Sequence, residues 1–141
     1  MSQSDTQLGE IVVLAGQSLV GKEGYLVYMT HDTGVPEVKL PASIDDKALY
    51  LVIDGAADAA HVALKPLSPA RNQRFVLKGA CNPGDVLVLA DPAVAADAGK
   101  VRALPAAAGT YRGLAIAEEK GVEGQYILAR PALLGPITIA G

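Results

Sequence analysis

Cysteine, tryptophan and aromatic residues in general are scarce in this chain of 141 residues. Cys81 is the only cysteine, tryptophan is absent, and aromatic residues make up 4% of the sequence against 50% for apolar residues. A single cysteine excludes a disulfide within the chain. A folded chain of this length buries about 68–70% of its unfolded surface. Its core must therefore consist of valine, leucine, isoleucine and alanine.

Long apolar runs and an excess of basic charge are also missing. No run approaches the roughly 20 apolar residues that a membrane-spanning helix needs, so we expect no transmembrane segment. The net charge of -3 gives no general attraction to nucleic acid or to an anionic membrane. Residues 1–7 are polar and lack the basic and apolar regions of a signal peptide. We expect synthesis in the cytoplasm, with no nucleic-acid partner and no membrane partner.

What the sequence does contain is one pattern written twice. Four short segments recur in the same order about sixty positions later: residues 24–29 match 84–89, 39–41 match 103–105, 48–53 match 112–117, and 62–66 match 127–131. Together they indicate an internal duplication, with pseudo-repeats at about 20–66 and 80–131. Because two independent domains of this size would each be marginal, we expect the copies to share one core. The predicted organisation is a flexible N-terminal arm at residues 1–9 and a single β-rich domain at residues 10–141.

The local pattern is that of short strands separated by turns. Strand-like segments occupy residues 10–15, 25–30, 35–40, 49–53, 61–66, 74–78, 85–89, 100–104, 111–117 and 125–130, with an extended apolar piece at 137–139. Only residues 90–98 have a helical period, and residues 41–47 suit a helical turn with Ser43 as its N-cap. The sequence predicts a mainly β fold, a compact β-barrel or β-tulip-like domain of short strands.

One segment imitates a nucleotide-binding loop. Residues 16–22 begin and end like a phosphate-binding loop, with Gly16, Gly21 and Lys22 at the expected spacing. However, Glu23 stands where such a loop needs a serine or threonine for magnesium, and residues 24–28 have a strand pattern where a helix should supply backbone amides. We interpret the segment as an ordinary loop between strands.

Other reactive residues are too isolated to form a site. His31 and His61 have no ligand-spaced neighbours, so no metal site is predicted, and both are expected to be partly exposed. Cys81 is interpreted as a buried or half-buried, inert thiol rather than a nucleophile. Lys100 follows Gly99 at a turn like a carrier-domain lysine, although a solvated lysine is the simpler interpretation. The sequence therefore predicts no catalytic residue and no cofactor, and we expect a protein that is not an enzyme.

The second copy of the pattern resembles a known family of viral proteins. Residues 83–89 (PGDVLVL), 97–101 (DAGKV), 113–117 (GLAIA) and 124–128 (GQYIL) follow one another as in the small capsid decoration, or cement, proteins of tailed bacteriophages. The resemblance covers mainly residues 75–130 and, through the repeat, about 20–66. It implies a compact β-barrel or β-tulip-like domain, often trimeric, on the outer surface of a mature head. It also implies an N-terminal arm that becomes ordered on the shell.

From these expectations we predict a structural virion protein. We expect it to bind the major capsid protein on the outer capsid surface, to stabilise the head and to form a homo-oligomer, with a trimer favoured. An arm of this kind adds main-chain hydrogen bonds to an exposed sheet edge. The expected partner-binding residues lie in the arm and in the apolar tail: Ser4, Asp5, Thr6, Gln7, Leu8, Leu133, Leu134, Ile137 and Ile139.

A second interpretation remains open at this point. A carbohydrate-binding or host-surface-binding β-barrel module also needs no catalytic residue, but it needs an exposed aromatic platform. The chain has five tyrosines, at positions 25, 28, 50, 111 and 126, and most lie within strand patterns. Tyr111 is the residue on which we expect glycan binding to depend if this alternative holds.

Overall fold

A computed structural model describes residues 10–46 and 49–141, with the side chain of Leu133 left aside. The described residues contain ten strands and no helix, which confirms the mainly β prediction. The strands are β1 (Ile11–Ala15), β2 (Leu26–Thr30), β3 (Glu37–Lys39), β4 (Leu49–Asp54), β5 (His61–Pro66), β6 (Gln73–Val76), β7 (Val86–Leu89), β8 (Val101–Ala103), β9 (Gly109–Ala117) and β10 (Tyr126–Ile139).

The chain divides into two units. The N-terminal unit comprises residues up to Pro41 together with Asp46–Leu67, and the C-terminal unit comprises Ala42–Asp45 with Ser68–Gly141. The predicted single domain with one shared core stays a prediction. Residues 1–9, the predicted arm, lie outside the described residues.

The N-terminal unit is a closed five-stranded barrel with the order β1-β3-β2-β4-β5. Antiparallel pairs join all neighbours except β1 and β3, whose parallel pairing completes the closure. Alternate residues point inward, as the two-residue period of strands requires. The core contains only aliphatic side chains among its fully buried members: Ala15, Leu19, Val27, Val38, Val52, Val62 and Leu64. This composition follows from the scarcity of aromatic residues.

The C-terminal unit repeats this strand arrangement. Its sheet has the order β6-β10-β9-β7-β8, which is the order of the barrel strands β1-β5-β4-β2-β3. The two edge strands approach each other through one parallel bridge between Leu77 and Val101, in the place of the β1–β3 pairing. The N–H of Lys78 donates to the carbonyl of Val101 (2.8 Å), as the N–H of Gly16 donates to that of Val38 (2.8 Å).

The two units also agree in register, residue by residue. Shifting β1 by 62 positions and β5 by 65 converts the pair Val13–Val62 into the pair Phe75–Ile127. Shifting both β4 and β5 by 65 converts Val52–Leu64 into Ala117–Ala129. Because a slip of one residue reverses the inward face of a strand, shared register means shared inward positions. The strand order and the hydrogen-bonded pairs therefore repeat from one unit to the other, and an internal duplication as their origin stays a prediction.

Each unit is plugged by one buried residue from the loop between its first two strands. Leu19 is 0% exposed, and its N–H donates to the carbonyl of Ala56 (2.8 Å). Cys81, 62 positions later, is 3% exposed and exchanges backbone hydrogen bonds with Gly121 (3.1 Å each). The predicted buried thiol is thus the C-terminal counterpart of an apolar plug.

The helical period of residues 90–98 does not produce a helix. Residues 91–99 form successive turns, in which the N–H groups of Val94 and Asp97 donate to carbonyls three residues back, and Asp91 Oδ1 accepts the N–H of Ala93 (3.0 Å). Residues 42–45 form bends and a turn, in which Ser43 Oγ accepts the N–H of Asp45 (3.1 Å), two residues on, as an N-cap residue does. Short aspartate and serine side chains stabilise turns by bonding the backbone two residues on. The described residues include no helix long and apolar enough to cross a membrane.

Candidate interaction surface

The two units differ most in their last hairpin. In the N-terminal unit β4 and β5 have six residues each, whereas β9 has nine and β10 has 14. Beyond an irregularity between Pro131 and Gly135, residues 135–139 pair with residues 109–113. We call this distal pair of strand segments the ribbon. The predicted extended piece at 137–139 belongs to it, so the C-terminal residues continue β10 rather than forming a separate tail.

The ribbon has one polar face and one apolar face. Thr110 lies opposite Thr138, and their hydroxyl oxygens are 3.3 Å apart, which places both side chains on the polar face. Tyr111 lies opposite Ile137, one position along and therefore on the other face. Ile139 lies two positions beyond Ile137 on that same apolar face. Tyr111, Ile137 and Ile139 are half-buried.

A glycine creates room for the apolar face at its base. A Cβ on Gly113 would lie 2.7 Å from Leu134 Cβ and 2.8 Å from Ile137 Cδ1, so both side chains pack against the bare backbone. Leu134 remains 39% exposed. This close approach fixes Leu134 and Ile137 beside each other although they lie on opposite sides of Gly135 in the chain.

Tyr111 is held in one orientation by a loop carbonyl. Its hydroxyl donates to the carbonyl of Ala107 (2.8 Å), and its ring lies above Gly109, where a Cβ would be 3.4 Å from Tyr111 Cζ. The guanidinium carbon of Arg102 lies 5.5 Å from the centre of the Tyr111 ring, a cation–π distance. Arg102 reaches the ribbon because it pairs with Val88, which in turn pairs with Gly113.

Arg102 has an unusual electrostatic environment for this unit. Its Nε is buried, and among the described residues no hydrogen-bond acceptor reaches that atom. Arg74 and Arg130, by contrast, pair with Glu119 (3.0 Å) and Glu118 (3.2 Å). No carboxylate of residues 10–46 or 49–141 forms an ion pair with Arg102.

Two glutamates that pair with cationic side chains, Glu119 with Arg74 and Glu123 with Lys78, bind the backbone as well. Glu119 Oε1 accepts the N–H of Leu128 (2.9 Å) and a hydrogen bond from Arg74, and these interactions lower the pKa of its carboxyl. Glu123 accepts the N–H of Gly79, which together with the nearby Lys78 also lowers its carboxyl pKa. Both carboxylates are therefore used within the fold.

Lys100 belongs to a second charged cluster, and the prediction that it lies free in solvent is wrong. Its side chain is 15% exposed and lies 3.6 Å from Asp97, whose own side chain is 12% exposed. Lys78 also contacts Asp97 (3.6 Å) and Glu123 (3.4 Å), and these two carboxylates raise the pKa of Lys78. The cluster ties the 91–99 turns to the rest of the unit, which sequence spacing alone did not reveal.

The structure places the predicted partner-binding residues in two groups. Ser4, Asp5, Thr6, Gln7 and Leu8 lie outside the described residues, as does the side chain of Leu133. Leu134, Ile137 and Ile139 come together on the ribbon. The sequence analysis missed Arg102 as a member of this surface, because it lies on β8 and reaches Tyr111 on β9 only across β7.

None of the residues that were set aside as catalytic candidates belongs to the ribbon. Lys22 lies over the ring of Tyr25 at 4.6 Å, and β2 follows it where a phosphate-binding loop has a helix. Burial raises the pKa of the Cys81 thiol, and His31 and His61 are exposed. No group of three or more histidine, cysteine, aspartate or glutamate residues in the described ranges is arranged to hold a metal ion.

The fold has a counterpart among solved structures. The N-terminal base of the head fibre protein gp8.5 of bacteriophage phi29 superposes with a TM-score of 0.60 at 14% sequence identity. The match covers 89% of this chain and 95% of that one. No protein-family model matches the sequence, and no curated protein matches it. At this level of identity the likeness shows a shared fold.

Proposed function

We propose that this chain is a structural protein of a tailed-phage virion that binds the outer surface of the capsid and stabilises the head. The observation that supports this most strongly is the fold shared with the base of a phage head fibre over 89% of the chain. The partner in this proposal is the major capsid protein, and the location is the outside of the shell.

The proposed role is mechanical rather than catalytic. Residues 1–9 would add main-chain hydrogen bonds to a sheet edge of the shell. The association of three copies would multiply weak individual contacts, by a factor of roughly 10² to 10⁴ when the geometry allows simultaneous binding. A homotrimer is therefore the proposed binding form, and mass photometry of the purified chain measures it directly.

Shell binding tests the proposal. Empty shells assembled from the major capsid protein of the virus that carries this gene are mixed with the purified chain and sedimented. We expect saturable co-sedimentation, decoration visible in electron micrographs, and a higher melting temperature of the decorated shell. Shells that take up none of the chain at micromolar concentration contradict the proposed function.

Deletion of residues 1–9 tests the role of the arm separately. We expect a loss of shell binding with an unchanged circular-dichroism spectrum, because the arm precedes β1. A matched control replaces Ser4, Asp5 and Thr6 with alanine, which preserves the main chain that pairs with a sheet edge. Equal shell occupancy by the deletion variant would rule out the arm as the contact.

One observation keeps carbohydrate binding as a second candidate. Tyr126 is 47% exposed at the start of β10, and Arg74 donates to its carbonyl (3.1 Å). An exposed aromatic ring beside a polar side chain suits a sugar ring. Tyr111, which we expected to serve this role, is half-buried and engaged by Ala107 and Arg102. Glycan-array binding that disappears in Tyr126→Ala and persists in Tyr28→Ala supports this candidate.

A further inference from the structure

The chemistry of Arg102 sets the starting point. A guanidinium is positively charged at every physiological pH, and a buried charge without a partner is costly. Arg102 is half-buried, and its Nε is fully shielded without an acceptor from the described chain. Arg74 and Arg130 of this unit have ion pairs, whereas Arg71, Arg102 and Arg112 have none among the described residues. Arg102 differs from Arg71 and Arg112 in its shielded Nε without an acceptor, and an anion from outside the described chain would neutralise its charge.

Tyr111 fixes how that anion can approach. The ring lies 5.5 Å from the guanidinium carbon, and the hydroxyl is anchored on the carbonyl of Ala107 (2.8 Å). Because Nε is shielded, an incoming acceptor reaches the guanidinium through its two terminal Nη groups, which are not among the buried, unpartnered atoms of the described residues. Two such groups bind a carboxylate with two parallel hydrogen bonds, a geometry that the ammonium of lysine cannot provide.

The surroundings favour a carboxylate carried by a protein. Ile137 and Ile139 continue the apolar face beside Tyr111, and Leu134 extends it at the base of the ribbon. Tyrosine and arginine enclosed by apolar residues are the composition typical of the centre of a protein interface. Nucleic acid, in contrast, is bound through several cations at once, and no second arginine or lysine lies on this face of the ribbon.

We propose that Arg102 and Tyr111 form a binding site for an aspartate or glutamate side chain of the shell protein, with Leu134, Ile137 and Ile139 as its apolar surround. The identity of the partner rests on the proposed function, whereas the carboxylate chemistry rests on Arg102 and Tyr111 alone. This proposal also explains the extra length of β9 and β10, because their distal segments form the apolar face beside Arg102.

The first experiment measures shell binding of Arg102→Gln and Arg102→Lys by co-sedimentation. We expect each to weaken binding by about 10-fold or more, since the lost partner leaves a carboxylate unpaired in the interface. Arg112→Gln is the matched control: it removes the same charge from the ribbon, one residue from Tyr111 and on the opposite face. Full affinity of both Arg102 variants overturns the inference, and so does an equal loss in Arg112→Gln, which points to net charge alone.

The second experiment needs no shell. The Nε–H signal of Arg102, assigned by its absence in Arg102→Lys, is followed by ¹⁵N NMR while sodium acetate is added at constant ionic strength. We expect a saturable downfield shift with acetate and no saturable shift with chloride. Lack of saturation up to about 100 mM acetate overturns the site. A stronger response to inorganic phosphate than to acetate replaces the protein carboxylate with a phosphate group and also overturns the proposal.

The two experiments separate two failures. If the wild-type chain binds acetate at Arg102 and does not bind shells, the proposed function fails and the carboxylate site stands. If the wild-type chain binds shells and Arg102→Gln binds equally well, the proposed function stands and the inference fails. A thermal-melting comparison of all variants confirms that each one is folded before either measurement.

Discussion

The N-terminal and C-terminal units share a strand order and a register but differ in how they are completed. The N-terminal barrel closes through a parallel pairing of β1 with β3, and its core is aliphatic. The C-terminal unit has a single bridge at that place and extends its last hairpin into the ribbon. One backbone arrangement therefore serves as a plain barrel in the first copy and as a scaffold for an extended surface in the second.

The two units also differ in their charged side chains, and the C-terminal unit is the one with ion pairs. Val12, on the outer face of β1, is 58% exposed, whereas its C-terminal counterpart 62 positions later is Arg74, which pairs with Glu119. The C-terminal unit also holds its 91–99 turns by the contacts of Lys78 and Lys100 with Asp97. The second copy thus uses ion pairs where the first uses closure of the barrel.

The largest expected effect comes from the plugs. Leu19→Ala should lower the free energy of unfolding by about 2–5 kcal/mol, because it opens a cavity in a packed aliphatic core. Cys81→Ala removes one sulfur atom and should cost about 1 kcal/mol, in line with one buried methylene-sized group. Urea denaturation monitored by circular dichroism measures both. If Cys81→Ala lowers the free energy of unfolding as much as Leu19→Ala, the loss exceeds what the smaller side chain explains. Cys81 then has a further structural role.

The next largest loss of stability is expected at Gly121, because its missing side chain leaves room for the core side chains around the plug residue Cys81. A Cβ at this position would lie 2.2 Å from Ile127 Cγ2 and 2.8 Å from Leu77 Cδ2, both in the core. We expect Gly121→Ala to destabilise the protein by about 1–3 kcal/mol through overpacking. Gly16→Ala is the control in the N-terminal unit, where the nearest atoms belong to the mobile ends of Lys39 and Glu37. Equal midpoints for the two variants in urea would contradict this account.

Gly113→Ala tests the base of the ribbon. The added Cβ meets Leu134 Cβ at 2.7 Å, and relief requires a shift of the ribbon rather than of the sheet core. We expect a loss of about 1 kcal/mol, at the low end of overpacking effects. Amide hydrogen exchange should increase at residues 110–112 and 137–139 and stay unchanged in β1–β5. Faster exchange throughout both units would show that the ribbon is not a separable element.

The smallest expected effect is on the pH dependence of stability. The carboxyl pKa values of Glu119 and Glu123 are lowered in the fold, so their contribution is present above the ordinary glutamate value of 4.5 and is lost as the pH falls through the lower folded values. Glu119→Gln combined with Glu123→Gln should flatten the acid side of the stability curve. If the double substitution leaves the dependence of stability on pH unchanged, these glutamates do not contribute to acid sensitivity.

Most of the fold could be predicted from the sequence, because a strand is marked by the pattern of a few neighbouring residues. The alternating apolar pattern located β1 to β9 to within a few residues, and Gly24 and Gly84, both with positive φ, marked the equivalent turns before β2 and β7. The pattern failed for β10, because Pro131 and Gly135 look like the end of a strand when they mark only an irregularity within it. The ribbon was consequently predicted as a tail.

Only some residues of the candidate surface could be predicted from the sequence. Leu134, Ile137 and Ile139 could be singled out because a short apolar segment near the end of a chain suits an interface. Arg102 could not, since its neighbour Tyr111 is reached across one intervening strand, β7, and neither residue belongs to a motif. A contact of this kind depends on register, which short sequence patterns specify weakly.

An all-β fold with a repeated strand pattern could be derived from the amino-acid sequence, because strand periodicity and turn residues act over a few neighbouring positions. The length of the last hairpin, the buried residue that plugs each unit and the arginine with a shielded, unpartnered Nε became visible only in the folded structure. Those outcomes depend on residues far apart in the chain meeting across paired strands, and hydrogen-bonded register fixes such meetings.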